Sequence, residues 1–433
     1  MHFLQSLALK YSHIKMQKDL NKNLNISFNT NEDFKIPTKK SYMLYMHIPF
    51  CHTFCPYCSF HKYYYEEEKA RIYFENLRKE LHFIKEKGFD FHTLYVGGGT
   101  TLINENELLK TLELCKKLFN IKKISCESDP NHISIEQLSR FKGLIDRLSC
   151  GIQSFDNEIL KKITRYEKFG SSEILQEKLS KAIGVLPIFS IDLIFNFPNQ
   201  NKEMLLKDLN IAKSLSPNQI TTYPLMKSNL TKTIITKALG TSLKDNEFEF
   251  YKIICEFFKD FKQNNAWSFA LQKSDFNDEY VSSNNEYVGV GSGAFSFLNN
   301  RLLINIFDLD DYTKALFEKK DANIAYASFE KKEILKYLFL TELFSNKINI
   351  NAFNTMKNCN LKKVLNLEMK GLKACNAIIE ENDNLINTDF GKYLCLTLMK
   401  DFYIGMDKIR AVFRENKHIY TKNNINIMKA KLS

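Results

Sequence analysis

The chain has 433 residues, of which 44% are hydrophobic, so it can bury substantial cores and is long enough for two or three structural units. No apolar run approaches the about 20 residues that a membrane span needs, and the first residues lack signal-peptide features, so we expect a cytoplasmic protein with reduced cysteines. The net charge of +11 comes from lysines spread along the whole chain, without the basic stripe of a nucleic-acid-binding module, so we expect no nucleic-acid partner.

The first segment, residues 1–41, is polar and rich in asparagine. Asparagine favours turns because its side chain can bond to its own backbone, and we expect this of Asn21, Asn23, Asn25, Asn29 and Asn31. We interpret the segment as an N-terminal extension. The sequence allows either a loose surface segment or a cover over the site described next.

The stretch that follows the apolar run 43–48 is the most informative one. Residues 51–58 read CHTFCPYC and place three thiols, Cys51, Cys55 and Cys58, within eight residues. Clustered cysteines in a chain without secretory features indicate a metal or redox site. A structural zinc site takes four ligands, and His52 and His61 are the nearby candidates to complete one. Thiolates also hold iron-sulfur clusters, and three of them leave one iron of a four-iron cube open.

The spacing Cys-x3-Cys-x2-Cys resembles the signature of the radical S-adenosylmethionine (SAM) superfamily, in which the open iron of a 4Fe-4S cluster chelates the amino and carboxylate groups of SAM. The flanks, YMHIPFC at 45–51 and YCSF at 57–60, are similar to the branch that contains oxygen-independent coproporphyrinogen III oxidases and their relatives. The resemblance covers about residues 42–405. It implies that Cys51, Cys55 and Cys58 hold the cluster, and that the reduced cluster donates one electron to SAM to form a 5′-deoxyadenosyl radical.

From residue 42 onward, short apolar runs alternate with helical stretches, which predicts successive βα units around a parallel sheet. The predicted strands are 43–48, 93–96, 123–127, 147–153, 189–195 and 219–225. The clearest helix spans 67–85, where apolar residues recur at three- and four-residue steps. Six such repeats fit an α/β fold with an open (βα)6 barrel, which the resemblance also implies. In such barrels the chemistry lies at the carboxyl ends of the strands.

The second predicted strand is followed by a glycine run that ends in Gly98, Gly99 and Thr100. Its missing side chains allow a backbone to approach a ligand closely, although a tight turn would use the same residues. The resemblance implies that the run lies along the methionyl part of SAM. It also implies cofactor contacts at Tyr45 and at Tyr57, whose position presents backbone to the adenine, although aromatic residues at such places are also common core residues.

Polar side chains also lie at or near the ends of the next three predicted strands. Glu127 ends the third strand, Gln153 ends the fourth with Arg165 twelve residues later, and Asp192 lies in the fifth. The resemblance implies that all four contact SAM. An aspartate inside an apolar strand also needs a partner on physical grounds, because burying an unpaired carboxylate is costly.

The rest of the chain is predicted to be a helix over 248–261, a glycine-rich segment and a helical region. Residues 287–296, YVGVGSGAFS, resemble a glycine segment found late in the family, and we interpret them as backbone packed against the barrel mouth. Their spacing does not fit a dinucleotide site. From about residue 328 the chain resembles the family's C-terminal helical or winged-helix-like domain, while the tail after Arg414 matches no recognised pattern. The predicted units are therefore 1–41, 42–265 for the barrel, 266–327 for a barrel-mouth segment, and 328–433.

The resemblance implies a radical SAM oxidoreductase of the coproporphyrinogen dehydrogenase type, which acts on a porphyrinogen or related tetrapyrrole in haem biosynthesis and needs a low-potential electron donor. One sequence marker disagrees with the oxidase function, and another disagrees with the haem chaperones of the same branch. Oxidases of the branch carry another cysteine where this chain has Phe60, and its haem chaperones carry His-Asn-x-x-Tyr-Trp where this chain reads SSNNEYV at 282–288. Two alternatives stay open: a haem chaperone or haem-trafficking protein, and a radical SAM methyltransferase that opens haem anaerobically.

Overall fold

Parallel strands form the centre of the computed structural model, which describes residues 1–28, 35–228, 231–241, 244–270, 286–318, 321–415 and 424–430. In chain order the strands are β1 (Asn25–Ser27), β2 (Tyr42–Ile48), β3 (Phe50–Cys51), β4 (Tyr63–Tyr64), β5 (Phe91–Gly98), β6 (Lys123–Ser128), β7 (Arg147–Gln153), β8 (Ile188–Phe195), β9 (Gln219–Pro224), β10 (Lys262–Gln263), β11 (Ser268–Ala270), β12 (Tyr287–Val290), β13 (Phe295–Leu298), β14 (Arg301–Asn305), β15 (Asn323–Ser328), β16 (Lys347–Asn349), β17 (Ile378–Glu381), β18 (Asn384–Asn387) and β19 (Asn424–Asn426). The α-helices are α1 (Phe3–Asn23), α2 (Glu67–Glu86), α3 (Glu105–Leu118), α4 (Ile135–Ser139), α5 (Asn157–Lys162), α6 (Tyr166–Phe169), α7 (Ser172–Ala182), α8 (Lys202–Ser214), α9 (Lys232–Leu239), α10 (Glu247–Phe257), α11 (Leu309–Phe317), α12 (Lys331–Phe344), α13 (Ile350–Lys357), α14 (Leu361–Val364), α15 (Asn366–Ala374) and α16 (Asp389–Glu415).

The barrel strands are β2, β5, β6, β7, β8 and β9, which lie side by side in this order and pair in parallel. Each is joined to the next by one or more helices, as parallel neighbours require. On their outer sides β2 pairs with β12 and β9 pairs with β11, so the six strands do not close into a ring. The predicted α/β fold with an open (βα)6 barrel is confirmed.

Within the barrel and the helix that follows it, the local predictions agree with these elements except at one helix end. The predicted strands match the observed ones within two residues, and the predicted helix 67–85 is observed as Glu67–Glu86. The predicted helix 248–261 ends early, at Phe257, and the chain turns into β10. The turn brings Phe258 to 5.1 Å from Phe269 of β11, so burial of this ring ends a helix that the apolar spacing alone would extend.

The glycine-rich segment continues the sheet on the far side of β2. Strand β12 pairs in parallel with β2, and β13, β14, β15, β1 and β19 follow it, so the sheet has fourteen strands among the described residues. Gly291 has φ of +97°, and a Cβ there would lie 2.8 Å from the carbonyl oxygen of His47, so no side chain fits against β2. The division at residues 265 and 327 stays a prediction.

The N-terminal segment contains a helix and not a set of turns. Asn21 and Asn23 lie in α1, and Asn25 begins β1, so the prediction of turns at these residues is wrong. Asn29 and Asn31 lie outside the described residues, as do residues 282–285. Helix α1 packs along α16, with Leu20 buried against Met406 and Gly405 close by. Tertiary packing of this kind outweighs the low helix propensity of asparagine.

The C-terminal region packs on the open side of the barrel. It contains α12, the three-stranded sheet β16-β18-β17, the short helices between β16 and β17, and the long helix α16. The backbone N–H of Ala266, next to β11, donates to the carbonyl of Phe344 at the end of α12, and the rings of Phe344 and Tyr403 pack on Trp267. Among the described residues, no helix is long and apolar enough to cross a membrane.

Candidate active site at the mouth of the barrel

The cysteine loop lies beyond the carboxyl end of β2. Strand β3 pairs with β4, and this small ladder holds the two ends of the loop together. Inside the loop the backbone N–H of Cys58 donates to the carbonyl of Cys55 over 3.2 Å, which closes a turn. All three cysteine side chains are half-buried and free of disulfide bonds. The local spacing and the turn therefore place the thiols on one side of the barrel, next to the other strand ends.

Two of the thiols have polar neighbours from other βα units of the barrel. Thr100 Oγ1 lies 3.9 Å from Cys51 Sγ, and Arg165 Nη1 lies 3.7 Å from Cys55 Sγ and 3.3 Å from Tyr57 Oη. Burial raises the pKa of the Cys51 thiol to about 11, and the nearby Cys58 adds to this. A metal that binds thiolates must therefore displace a proton here, and donors such as Arg165 stabilise the resulting negative charge.

In this arrangement neither His52 nor His61 is placed to act as the fourth ligand of a zinc ion. His61 is buried, and its Nε2 lies 3.0 Å from Ser292 Oγ and 3.1 Å from the carbonyl oxygen of Phe307. His52 is exposed and stacks on His132 with ring centroids 6.2 Å apart. Within the described ranges, no three His, Cys, Asp or Glu side chains converge as they would on a single ion. A cluster differs from a single ion because each thiolate binds its own iron.

The glycine turn after β5 and the carboxylate of Glu127 are in direct contact. Glu127 accepts hydrogen bonds from Tyr95 Oη at 2.8 Å and from the backbone N–H of Gly98 at 3.2 Å. A Cβ on Gly99 would lie 2.9 Å from the backbone nitrogen of Phe50, so the turn tolerates no side chain there. Burial raises the pKa of Glu127, while these two hydrogen bonds and the charge of Arg147 oppose the rise.

Of the remaining predicted site residues, Gln153, Arg165 and Asp192 lie toward the same end of the barrel, and Tyr45 lies deeper. Gln153 ends β7 with φ of +76°, a left-handed conformation that costs energy in a residue other than glycine. Arg165 also bonds to the carbonyl oxygen of Gly151, which precedes Gln153 on β7. Asp192 accepts hydrogen bonds from Ser149 and, at 3.3 Å, from Ser190. Deeper in the barrel, Tyr45 Oη lies 2.9 Å from His47 Nδ1.

A charged group that sequence reasoning missed lies beside the cysteine loop. Asp129 accepts hydrogen bonds from Thr100 at 3.0 Å and His132 at 2.8 Å, and Lys168 lies 3.4 Å away. Burial favours the neutral acid, but the bond and charge of His132 and the charges of Lys168 and Arg165 hold the pKa of Asp129 well below its usual range. Its position two residues after Glu127, just past the end of β6, was the available signal.

Arg147 on the barrel floor was also missed as a functional residue. Its side chain is only 1% exposed, with Nε 3.0 Å from Gln219 Oε1 and Nη1 3.1 Å from Ser125 Oγ. An arginine is seldom buried without compensating charge, and the charge of Arg147 lowers the pKa of Glu127. It therefore helps to keep that carboxylate ionised. An arginine inside a predicted apolar strand was the signal in the sequence.

Comparisons with known proteins agree with this geometry. A family model described as the radical SAM superfamily matches residues 45–212. The heme chaperone HemW of Bacillus subtilis (strain 168) is 30% identical over 294 residues, which cover 64% of this chain and 76% of that protein. The oxygen-independent coproporphyrinogen III oxidase of Helicobacter pylori (strain ATCC 700392 / 26695) is 27% identical over 402 residues, which cover 84% of this chain and 86% of that protein.

A solved structure supports the fold independently. The coproporphyrinogen III oxidase from Escherichia coli superposes with a TM-score of 0.73 at 18% sequence identity, over 88% of this chain and 94% of that chain. At this identity the likeness concerns the fold. The two curated relatives carry different functional names, one a chaperone and the other an oxidase.

Proposed function

We propose, from the premise that the chain belongs to the radical SAM family that contains oxygen-independent coproporphyrinogen III oxidases and HemW heme chaperones, that it uses a 4Fe-4S cluster and SAM to act on a tetrapyrrole. One observation carries this proposal. Three thiols lie on one loop beyond the strand ends of an open barrel, with Arg165 Nη1 and Thr100 Oγ1 directed at two of them. The activity is that of a radical SAM oxidoreductase supplied by a low-potential electron donor.

The donor set suits the cluster. Cys51, Cys55 and Cys58 offer thiolates to three irons, and none of them is tied up in a disulfide. The Nε of Arg165 is buried and has no hydrogen-bond partner among the described residues, although the same side chain bonds to Cys55 and Tyr57. A buried donor without a partner is costly, so the unpartnered Nε of Arg165 favours the presence of a polar ligand beside the loop.

The surroundings of the loop also suit SAM. By resemblance, the backbone at Gly98, Gly99 and Thr100 lies along the methionyl part of SAM, and the glycines let this turn pack directly against the backbone of Phe50 beside the cysteine loop. Glu127 presents a carboxylate fixed by two hydrogen bonds. Gln153, Arg165 and Asp192, with Tyr45 and Tyr57, are the other proposed contacts.

The chain's own residues contribute orientation and charge. When bound, the cluster and SAM supply the electron and the carbon-sulfur bond whose cleavage yields the reactive species. Arg165 and Thr100 direct hydrogen-bond donors at thiolate sulfurs and so stabilise their negative charge. Tyr95 and the Gly98 N–H hold the Glu127 carboxylate in one orientation. The half-buried loop limits the access of water to the thiols.

A second candidate, a haem chaperone, is favoured by one residue. Phe60 stands where the oxidases of the branch carry a further cysteine, and the guanidinium of Arg410 lies 4.9 Å from the centre of its ring. This cation-π contact fixes an aromatic side chain beside the cluster loop. The relative HemW, 30% identical to this chain, is named a heme chaperone. Haem binding without turnover is therefore the alternative to oxidative decarboxylation of a porphyrinogen.

An anaerobic assay separates the two. The protein is reconstituted with iron and sulfide, reduced with dithionite and given SAM with coproporphyrinogen III, with haemin, or with neither. Mass spectrometry reads 5′-deoxyadenosine and the tetrapyrrole. We expect deoxyadenosine formation and conversion of two propionates to vinyl groups if the oxidase proposal is right. Haemin that stays bound and unconsumed would support the chaperone. Absence of SAM cleavage under all three conditions would overturn the proposal of radical chemistry.

A further inference from the structure

A cleft of about 550 Å³ opens between helices α1 and α16 and the segments that follow β8 and β9. We propose that this cleft binds the carboxylate side chains of the tetrapyrrole, with Lys10 and Lys227 as the residues that recognise them. This inference rests on the proposed function and extends it, because it assigns the substrate's acidic groups to a defined surface. It also gives helix α1 a role in ligand binding.

The position of the cleft links it to the cysteine loop. Asn196 and Leu225, which line it, directly follow β8 and β9, so they lie at the carboxyl ends of the barrel strands. Leu225 belongs to an apolar cluster with Phe197, and Tyr57 of the cysteine loop packs against that cluster. The cleft and the cysteine loop therefore border the same apolar cluster.

The acidic residues of the cleft are already engaged by protein groups. Both carboxylate oxygens of Glu247 lie 2.7 Å from Lys400 Nζ. Asp401 Oδ2 lies 2.8 Å from His13 Nδ1, and Asp245 accepts a 2.9 Å bond from Asn196. These pairs satisfy the carboxylates. The charge of Glu247 is compensated by Lys400, whereas Asp245 and Asp401 are hydrogen-bonded to an amide and an imidazole. The lining holds four lysines, Lys10, Lys227, Lys244 and Lys400, against these three acids.

In contrast to these acids, two lysines on opposite sides of the cleft are available to a ligand. Lys10, on α1, and Lys227, after β9, are exposed and make no hydrogen bond or ion pair with any residue that the structure describes. Lys244 lies 3.6 Å from Glu249, which is itself largely exposed. The lysines thus give the cleft a positive rim, which attracts a ligand with more than one carboxylate.

Apolar side chains complete the cleft between these lysines. The residues concerned are Leu9, Leu225, Leu394, Leu398 and Ile404. Its volume of about 550 Å³ lies within the range of about 300–1,000 Å³ that is usual for small-molecule sites. An apolar surface with a cationic rim matches a macrocycle that carries acidic side chains at its edge.

Coproporphyrinogen and haem share this chemistry, since both carry propionate groups on an apolar ring. The test uses coproporphyrin III, a stable oxidised probe, and haemin as separate ligands of the full-length protein. Trp267 is the only tryptophan in the chain and packs on Tyr403 of α16, so its fluorescence reports binding by energy transfer to the porphyrin. Dissociation constants are measured at low and high salt.

The variants are Lys10→Gln, Lys227→Gln and the double variant, with Lys117→Gln on the outer helix α3 as the matched exposed control. We expect each cleft variant to bind about fivefold more weakly, the double variant at least tenfold more weakly, and the control to bind as the wild type does. The salt dependence of binding should also fall in the double variant. Unfolding midpoints verify that the variants are folded.

The outcomes separate this inference from the proposed function. Unchanged affinity in the double variant would overturn the cleft assignment, while SAM cleavage in the separate assay would still stand. Weakened binding of coproporphyrin, of haemin or of both would support the assignment, and the tighter ligand would identify the source of the carboxylates. A wild-type protein that binds neither ligand would overturn both the cleft and the tetrapyrrole part of the proposed function.

Discussion

The three cysteines of the loop have different surroundings, although the family gives them one role. Cys51 faces Thr100, Cys55 faces Arg165, and the carbonyl of Cys58 accepts a 2.7 Å bond from Lys62. Each cysteine should therefore be required for cluster binding.

We predict that Cys55→Ala abolishes cluster binding and SAM cleavage, because the loss of one thiolate leaves a cluster iron without its protein ligand. Iron and sulfide content, visible absorbance and 5′-deoxyadenosine formation after anaerobic reconstitution measure this. The matched control is Cys359→Ala, a half-buried cysteine in the C-terminal region. A Cys55→Ala protein that still cleaves SAM would refute the prediction.

A second prediction at the residue scale concerns His47, which is buried below the loop. Its Nε2 donates to the carbonyl of His61, so Nδ1 accepts from Tyr45 Oη and the ring is neutral. Burial lowers the pKa of His47 from 6.5 to about 4. Because the unfolded chain binds this proton more readily, the stabilisation is present above pH 6.5 and is lost as the pH falls toward 4.

We expect His47 alone to account for a loss of about 2 kcal/mol in the free energy of unfolding between about pH 7.5 and about pH 5. Urea unfolding of the cluster-free protein at both pH values measures it. In His47→Gln the pH dependence should be smaller by that amount, even though the variant is less stable overall. An identical slope in both proteins would show that His47 does not carry the effect. His61, whose pKa burial also lowers, would leave a residual dependence.

At the scale of elements, helix α1 depends on its contact with α16. Leu20 is 7% exposed and packs near Gly405, where an added Cβ would lie 2.7 Å from Leu20 Cδ1. The two helices therefore approach closely at this point. We predict that Leu20→Ala destabilises the protein by about 2–4 kcal/mol, because it leaves a cavity between the helices.

The matched control lies on the same helix. Leu4 is 60% exposed, and Leu4→Ala should change the free energy of unfolding by less than about 0.5 kcal/mol. Hydrogen exchange should show earlier opening of α1 only in the Leu20 variant. Equal stability of the two variants would mean that α1 contributes little to the folded state, and would also weaken its assignment as a wall of the tetrapyrrole cleft.

At the scale of the whole molecule, a buried charge network joins the N-terminal segment, the barrel and the added strands. Lys35 is fully buried, with its Nζ 3.8 Å from Glu80 on α2, 3.2 Å from Asp321 before β15 and 3.2 Å from Asn305 of β14. Burial raises the pKa of Glu80, and the charge of Lys35 lowers it. Removal of the lysine would leave two acids with less compensation.

We predict that Lys35→Met lowers the free energy of unfolding by about 3–5 kcal/mol, because it breaks a buried ion pair and leaves a buried carboxylate. Lys39→Met is the control, since Lys39 is about half exposed and pairs with Glu286 at the surface. That change should cost less than about 1 kcal/mol. Chemical denaturation compares the two, and similar losses would argue against the network.

The sequence by itself determined the elements and the thiols of this protein. Strands such as 147–153 and the helix 67–85 could be predicted because apolar periodicity reflects each segment's own exposure to the core. The spacing of Cys51, Cys55 and Cys58 indicated a cluster loop because all three thiols lie in one short stretch of the chain. The order of the parallel strands followed because consecutive βα units are adjacent in space.

Only the tertiary structure decided the contacts between distant segments. Lys35 meets Asn305, and α1 meets α16, across more than 200 residues of chain, and no local pattern encodes such pairs. Lys10 and Lys227 likewise look like ordinary surface lysines until the fold places both at one cleft. Local free-energy preferences determine helices and strands, whereas the pairing of their faces depends on the summed burial of the whole core.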